Sequence, residues 1–266
     1  MIFREARPAD DIAGLRRRCF PEDQIEKHFP VARAFVAEAE GRVVAHLGFI
    51  EQPVMGYPAA LAFDAMTDAA YRGQGVFSRL AAFAADEIRG DYALSTAWQI
   101  RPAVLPAMVR AGWLPILRAP VFVRPIWSAA APAAALLRRS EAAAPQLRCG
   151  NRERQLALPH SRFTAPYYTC TENLVTRETI LKGYRTLAIV DLTPDAKQEL
   201  KAALKSTTCR LAAALLSWRH PALPLLLRMG FLPSPHRFRF LVNVFDPRID
   251  AKRVKWVLSW ADTDHL

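Results

Sequence analysis

Residues 60–88 constrain the fold of this chain more than any other segment. A short apolar run leads into a loop that contains Gly73 and Gly75, and a helical pattern begins directly after the second glycine. Apolar residues recur there every three or four positions, which predicts a helix with one buried stripe. A strand, a glycine-rich loop and a helix N-terminus form a site for an anion, because the first N–H groups of a helix have no partners within it. The segment therefore predicts a diphosphate ligand.

The longer string around these glycines resembles the acyl-CoA loop of the GNAT N-acetyltransferase superfamily, whose pattern is Arg/Gln-x-x-Gly-x-Gly/Ala. Residues 72–76 read Arg-Gly-Gln-Gly-Val and fit this pattern, whereas Phe77 stands where the family usually has a small residue. A subgroup that reads Thr-x-Pro-x-Tyr-Arg-Gly-x-Gly-Ile-Phe-Ser is similar to this chain, so Phe77 is compatible with the loop.

The resemblance implies an acyl-CoA cosubstrate, most simply acetyl-CoA, and no metal. Backbone N–H groups of the loop would bind the pyrophosphate, and the pantetheine arm would pair with the end of the preceding strand. The implied residues are Ala65, Met66 and Thr67 on the strand, and Arg72, Gly73, Gln74, Gly75, Val76, Phe77 and Ser78 on the loop and helix start. The six histidines show no metal-ligand spacing.

The implied reaction is direct attack of an amine on the thioester, which requires a base for the amine proton. Asp64 is the candidate base, because it lies in an apolar strand and shares a face with Met66. The alternative is a structural carboxylate that pairs with an arginine or caps a backbone group. Trp98, Gln99 and Arg101 end the next predicted strand and are candidates for positioning the acceptor.

One residue departs from the family pattern. The usual acid is a Tyr four residues before the Gly of a Gly-Phe pair, and Met108 occupies that position here. A thioether cannot donate a proton. Two functions therefore stay open: an N-acetyltransferase that works without this acid, and a catalytically weak or inactive GNAT-like module that binds acyl-CoA or a partner.

An internal repeat divides the chain. Residues 101–115 and 219–233 are identical at seven of fifteen positions at a constant offset of 118. Each copy predicts a short helix that ends at a glycine, Gly112 or Gly230, followed by an aromatic residue and a strand. We therefore expect an α/β (α+β) GNAT fold with two GNAT-like lobes and mixed central sheets: an acyl-CoA-binding lobe at 1–125, an Ala/Pro-rich linker at 126–154, and a second lobe at 155–266. Thr193 and Pro194 start an ordinary helix there, so the second lobe should lack a phosphate loop.

Charge and cysteine usage narrow the possible partners and the compartment. Residues 1–115 have a net charge of −1, and residues 116–266 have a net charge of +12. A basic lobe suits an acidic acceptor, either a small-molecule or a protein amine, although a solvated basic surface is an equal alternative. Its basic residues are scattered, so nucleic acid is an unexpected partner. The chain has no run of 18 apolar residues that would predict a membrane helix, and its four separated cysteines are typical of reduced thiols in a cytoplasmic protein.

Overall fold

A computed structural model describes residues 1–21, 31–54, 57–98, 102, 104–126, 168–181 and 183–262. The strands of this part are β1 (Ile2–Glu5), β2 (Arg33–Ala39), β3 (Arg42–Glu51), β4 (Ala59–Thr67), β5 (Leu94–Trp98), β6 (Leu114–Pro125), β7 (Tyr168–Cys170), β8 (Leu174–Leu181), β9 (Tyr184–Leu192), β10 (Leu211–Leu215) and β11 (Leu232–Val244). The α-helices are α1 (Ile12–Cys19), α2 (Val76–Ile88), α3 (Leu105–Arg110), α4 (Lys197–Ser206) and α5 (Leu223–Arg228), with 3-10 turns at Ala69–Tyr71 and Trp260–Asp262.

The chain folds into two compact units that are interleaved in sequence. One consists of Met1–Leu117 and Arg239–Val254, and the other of Arg118–Phe238 and Lys255–Leu266. The boundaries expected from the sequence, at residues 125 and 155, are linear and stay a prediction. Residues 127–154 of the predicted linker lie outside the described residues.

The first unit is a sheet with a helix layer on each face. Its strands follow the order β1-β2-β3-β4-β5, with antiparallel pairs as far as β4 and a parallel β4–β5 pair. The α2 stripe predicted from the sequence is confirmed: Val76, Leu80, Ala81, Ala84 and Ile88 are buried in a core with residues from β2, β3 and β4. A smaller cluster contains Leu15 of α1, Val36, Val43 and Met66, so α1 packs on the opposite face.

The last strand of this sheet comes from the far end of the sequence. Residues 240–244 of β11 pair antiparallel with β5, where Phe240 lies opposite Trp98. Asn243 donates its side-chain N–H to the backbone oxygen of Ala111 at 3.2 Å, at the end of α3. The adjacent Gly112 has φ +90°, and a Cβ there would lie 3.3 Å from the Asn243 oxygen, so both conformation and space favour glycine.

The second unit repeats the strand pattern of the first. Hairpin β8–β9 is followed by α4, and β10 pairs parallel with β9 and antiparallel with β6. Helix α4 begins at Lys197, with Ala196 as a cap that makes no side-chain hydrogen bond. The predicted cap Thr193 instead accepts from the N–H of Asp195 at 3.3 Å, in a turn before the helix. Because Thr193 takes part in this turn, the helix begins at Lys197, three residues after the start at Pro194 that the local sequence predicts.

The internal repeat is visible as two matching helix–turn–strand segments. Helices α3 and α5 have the same length and the same offset of 118 residues that the sequence shows. Gly112 and Gly230 follow them with φ +90° and +80°. The N–H groups of Trp113 and Phe231 then bond back to Met108 and Leu226, each at 3.1 Å. These bonds close the helix ends as in a Schellman motif.

Two further findings concern the described part of the chain. None of its helices combines the length and the apolar character needed to span a membrane. Cys19 and Cys209 are free thiols.

We predict that unfolding stability falls between pH 6.5 and pH 4 because of His220 in the second unit. Burial lowers the pKa of His220 from 6.5 to about 4, and Asp191 lies 3.9 Å from its Nε2. The unfolded chain therefore takes up a proton near pH 6.5 that the folded chain accepts only near pH 4. The stabilisation is complete above pH 6.5 and is lost as pH falls, by about 3 kcal/mol.

Denaturant unfolding across this pH range measures the effect. His220→Gln should flatten the pH dependence, while His236→Gln, at an exposed histidine, should leave it unchanged. Burial also lowers the pKa of His46. His46 therefore makes the same contribution to the pH dependence of stability in both variants and does not affect their comparison. Equal slopes in His220→Gln and the parent protein would contradict the prediction.

Candidate active site

A bulge in β4 sets the geometry of the candidate site. The pairing with β3 runs Ala45–Thr67 and His46–Met66, then resumes at Gly48–Phe63, so β4 carries one extra residue. Asp64 lies in this bulge with φ +50°, a left-handed conformation that is uncommon outside glycine and that Asp tolerates better than most residues. The bulge therefore re-aims one strand residue at a cost in backbone energy.

The bulge directs Asp64 toward α1. Residues two apart on a regular strand share a face, and Ala62 packs in the core beneath α2. Asp64 instead forms an ion pair with Arg16 of α1. The Met66 side chain is buried in the α1 cluster. Asp64 and Met66 thus face the same helix, as the sequence predicted, whereas Ala62, two residues before Asp64, faces α2.

Strand β4 extends beyond the end of its pairing with the parallel strand β5. The β4–β5 ladder runs from Ala59–Leu94 to Ala62–Ala97, whereas β4 continues to Thr67. Ala65 is exposed in this extension and Thr67 is half-buried. Residues 63–67 accordingly form an extended edge beyond the last β5 rung, with the backbone direction that an added strand-like ligand would need.

The glycine-rich loop has the backbone conformation expected of an anion site. Gly73 and Gly75 have φ +76° and +72°, and Gly75 is the N-cap of α2 with no side-chain cap bond. A Cβ at either glycine would meet no atom within 4 Å, so the loop surface is open. The first turn of α2 contains no acidic residue. The backbone N–H groups in the first turn of α2, together with the helix dipole, favour a negatively charged ligand.

Side chains of the loop hold its own backbone. Arg72 donates Nε–H to the Thr67 oxygen at 2.9 Å, and Gln74 donates to the Ala70 oxygen at 2.8 Å. Val76 is buried and Phe77 packs against the first core, so both can offer a ligand only their backbone or an edge. Ser78 accepts a hydrogen bond from Arg110 at 3.4 Å. The loop is therefore shaped by local bonds, and Arg110 brings a positive charge to the helix start.

Asp68 fixes the turn between β4 and this loop. Its side chain accepts from the N–H of Ala70 at 3.2 Å, from Arg18 at 3.0 Å and from Arg42 at 3.3 Å. Burial opposes ionisation of this carboxyl, but these three donors outweigh burial and lower its pKa. Asp68 thus has a structural role as an ionised cap.

Asp64 is held at both its side chain and its backbone. The carboxylate pairs with Arg16, and the Asp64 carbonyl oxygen accepts a hydrogen bond from His46 Nδ1 at 2.9 Å. A carbonyl can only accept, so Nδ1 carries the proton. Burial lowers the pKa of His46 and the Arg16 charge adds to this effect, although Asp64 opposes it. His46 is therefore a neutral donor that fixes the bulge.

The structure describes only some of the remaining candidate residues. Trp98 is 4% exposed and packs against Phe240 with ring centroids 4.8 Å apart. Gln99 and Arg101 lie outside the described residues. Met108 is buried in the first core. The role of Trp98 in acceptor binding stays a prediction, as do the roles of the other candidate site residues.

The comparisons with known proteins agree with this geometry. Residues 3–108 match the model of the Acetyltransferase (GNAT) family. The matched segment begins in β1 and ends in α3, so it contains the bulge, the glycine loop and α2. No curated protein matches the chain.

Solved structures extend the similarity over nearly the whole chain. Eis1 from Mycobacterium abscessus has a TM-score of 0.59 at 14% identity and covers 92% of this chain and 74% of its own. A GCN5-related N-acetyltransferase from Anabaena variabilis has a TM-score of 0.60 at 15% identity, with 92% and 73% covered. A tandem GNAT protein from the clavulanic acid biosynthesis pathway has a TM-score of 0.57 at 14% identity, with 93% and 99% covered. At these identities the similarity shows the fold, and it confirms the expected GNAT fold.

Sequence reasoning missed Arg16 and His46. Arg16 is 48 residues from Asp64 in sequence, and His46 is 18 residues away. The available signal was a run of three arginines, residues 16–18, in a helix of which only one face can be solvated. Such a run indicates that some of these charges meet carboxylates of the fold, but it does not indicate which ones. Within the described residues, no group of three or more His, Cys, Asp or Glu could hold a metal ion.

We predict that Asp64→Ala is less stable than Asp64→Asn by about 1–2 kcal/mol. Both variants lose the negative charge that pairs with Arg16. Their difference reports the left-handed backbone, which Asn adopts more readily than Ala, together with the hydrogen bond that the Asn oxygen can still accept from Arg16. Denaturant unfolding of the two variants measures it. Exposed Glu40, with φ +53°, is the matched control: Glu40→Ala should also be less stable than Glu40→Asn. Equal stability of the two Asp64 variants would show that the bulge relaxes.

Proposed function

We propose that the first unit binds an acyl-CoA, most simply acetyl-CoA, and transfers its acyl group to an amine. The observation that carries this proposal is the open glycine loop at the N-terminus of α2, which follows directly on the extended edge of β4. The loop supplies donors for a diphosphate, and the extension of β4, which has no β5 partner in the described part of the chain, supplies a strand for a pantetheine arm. The match of residues 3–108 to the GNAT family model supports the same proposal.

The proposed ligand contacts are divided between backbone and side chains. The N–H groups from Gly73 to Ser78 would bind the pyrophosphate, with Arg72 and Arg110 adding positive charge. Ala65 and Thr67 would pair with the pantetheine arm, and a backbone N–H near Thr67 would stabilise the tetrahedral oxyanion. The second unit has no glycine in the turn between β9 and α4, so we expect one acyl-CoA site per chain.

Asp64 is the proposed base. Its carboxylate lies two residues beyond the last β4–β5 rung, on a bulge that only a strained backbone maintains. Strain of this kind is concentrated at functional sites. The proton of the amine would pass to Asp64 directly or through water, and the thiolate would leave without a Tyr acid, because a thiolate is a tolerable leaving group.

A second candidate is a GNAT-like module with weak or no activity. The observation that favours it is Met108, a buried thioether at the position of the family's usual acid. The Arg16–Asp64 ion pair also fits the structural role considered for Asp64. Such a protein would bind acyl-CoA without turnover. Its location, proposed as cytoplasmic, would be the same.

We predict that acetyl-CoA binds once per chain and that Gly75→Glu abolishes binding. A carboxylate at this position would occupy the space of the diphosphate. At a ligand concentration about 100 times Kd, binding to the folded state alone should add roughly 2.7 kcal/mol of stability. Titration calorimetry and thermal shift measure stoichiometry and stabilisation.

The matched control is Gly183→Glu. Gly183 lies in the β8–β9 turn with φ +81°, and a Cβ there also meets nothing within 4 Å, so backbone strain and added charge are equivalent. This variant should bind acetyl-CoA normally. Two equivalent sites, or no binding of any CoA ester by the parent protein, would contradict the assignment of the loop.

We predict that Asp64→Asn lowers kcat by about 10²–10⁴-fold, the usual contribution of a general base. Acyl-CoA affinity should change little, because the loop that binds the diphosphate does not involve Asp64. Steady-state kinetics with thiol detection, together with calorimetry, separate the two effects. A rate close to that of the parent enzyme would exclude Asp64 as the base.

A further inference from the structure

The Arg16–Asp64 ion pair is the feature that the proposed transfer leaves unexplained. Its side chains are 16% and 13% exposed, so the pair is largely withdrawn from water yet still reachable. It lies at the bulge, next to exposed Ala65 on the extended edge of β4 where the thioester is proposed to bind. The pair therefore presents a positive and a negative group side by side at the reacting end of the site.

Stability alone is a weak reason for this arrangement. Removing two charges from water costs about as much as their attraction returns, so partly buried ion pairs add little net stability. Asp64 also occupies a left-handed backbone conformation that costs about 1–2 kcal/mol. The fold already has a fully satisfied ionised carboxylate nearby at Asp68, bonded by Arg18, Arg42 and Ala70. A second, strained pair is better explained by a ligand that uses it.

An arginine of this fold can hold two carboxylates at once. Arg4 binds Asp10 at 2.8 Å and Glu38 at 2.6 Å through the same guanidinium group. The guanidinium carries five N–H donors in a planar fork, which accounts for this capacity. The same planar fork would let Arg16 accept a ligand carboxylate while it stays paired with Asp64.

The charge pattern selects among amines. A simple cationic amine meets Asp64 but also the like charge of Arg16, so the pair as a whole gives it little attraction. An amine with a carboxylate on the adjacent carbon matches both groups: its ammonium meets Asp64 and its carboxylate meets Arg16. Bidentate Arg–carboxylate bonds also fix orientation, which would aim the amine at the thioester carbon.

We propose, on the basis of the proposed transfer, that the acceptor is an amine bearing a neighbouring carboxylate, of the α-amino acid class, and that Arg16 is the residue that selects it. Arg16 binds the carboxylate, and Asp64 receives the amine. The N–C bond to the acyl carbon forms and the C–S bond breaks. Of the two protons that the ammonium loses, one passes to Asp64 and then to solvent, and the other neutralises the thiolate to give free CoA.

Matched acceptors test this proposal on the full-length protein. Alanine, leucine and phenylalanine are each compared with their amides and with the amines that lack the carboxyl group, at saturating acetyl-CoA. We expect the acids to exceed both analogues by about 10- to 100-fold in kcat/KM, the range for a charge-assisted bond. Because the amides have less basic amino groups, reactivity alone favours the amides, so a preference for the acids reports recognition.

Substitutions in α1 test whether Arg16 causes the preference for acids over amides. Arg16→Gln should remove the 10- to 100-fold advantage of the acids, measured as the ratio of acid to amide kcat/KM within that variant, and Arg16→Lys should restore part of it. Arg17→Gln, at an exposed neighbour on the same helix, is the matched control and should behave like the parent protein. Thermal unfolding and acetyl-CoA binding of each variant verify that it is folded.

The outcomes distinguish this inference from the proposed function. Equal use of acids and amides, or an acid preference that survives in Arg16→Gln, overturns the role of Arg16. Binding of acetyl-CoA without acylation of any acid overturns the acceptor class while leaving the donor site intact. Absence of acetyl-CoA binding overturns the proposed function itself.

Discussion

The bulge at Asp64 is the constraint on which the candidate site depends. One extra residue in β4 separates the paired part of the strand from the extension that follows it. The same residue turns a carboxylate from the α2 core to α1 and fixes its carbonyl on neutral, buried His46. A regular strand would place Asp64 in an apolar layer beside Ala62, where an ionised group is costly. The bulge thus lets one strand serve both as core and as the wall of a polar site.

The features that could be predicted from the sequence are those that depend on residues close together in the chain. The glycine loop, the buried stripe of α2 and the two glycine-capped repeat helices each depend on residues within about ten positions of one another. They follow from the φ range of glycine and from helical periodicity, and the structure contains all three. The predicted start of α4 was displaced from Pro194 to Lys197 because the polar groups of Thr193 take part in a turn instead of capping the helix.

Contacts between distant segments were beyond sequence reasoning. The sequence left two readings of Asp64 open, base or ion pair with an arginine, and the structure contains the ion pair without excluding the base. No spacing rule connects a helix residue to a strand residue 48 positions away, so Arg16 could not be named. The bulge was equally hidden, because a strand with one inserted residue has the same composition as a strand without it. The conformation of the glycine loop was therefore predictable from the sequence, and the surroundings of Asp64 were not.

The partnership of β5 with β11 affects the order of events during synthesis. The ring of Trp98 is covered by Phe240, and the end of α3 is tied by Asn243, 132 positions after its partner Ala111. A nascent first unit therefore leaves one edge of its sheet open until more than a hundred further residues have left the ribosome. Contacts of such long sequence separation form slowly, and open strand edges attract wrong partners in the meantime. Completion of the candidate site in the cell is thus coupled to completion of the second half, so a premature stop after β10 would disrupt the site even though its glycine loop is fully translated.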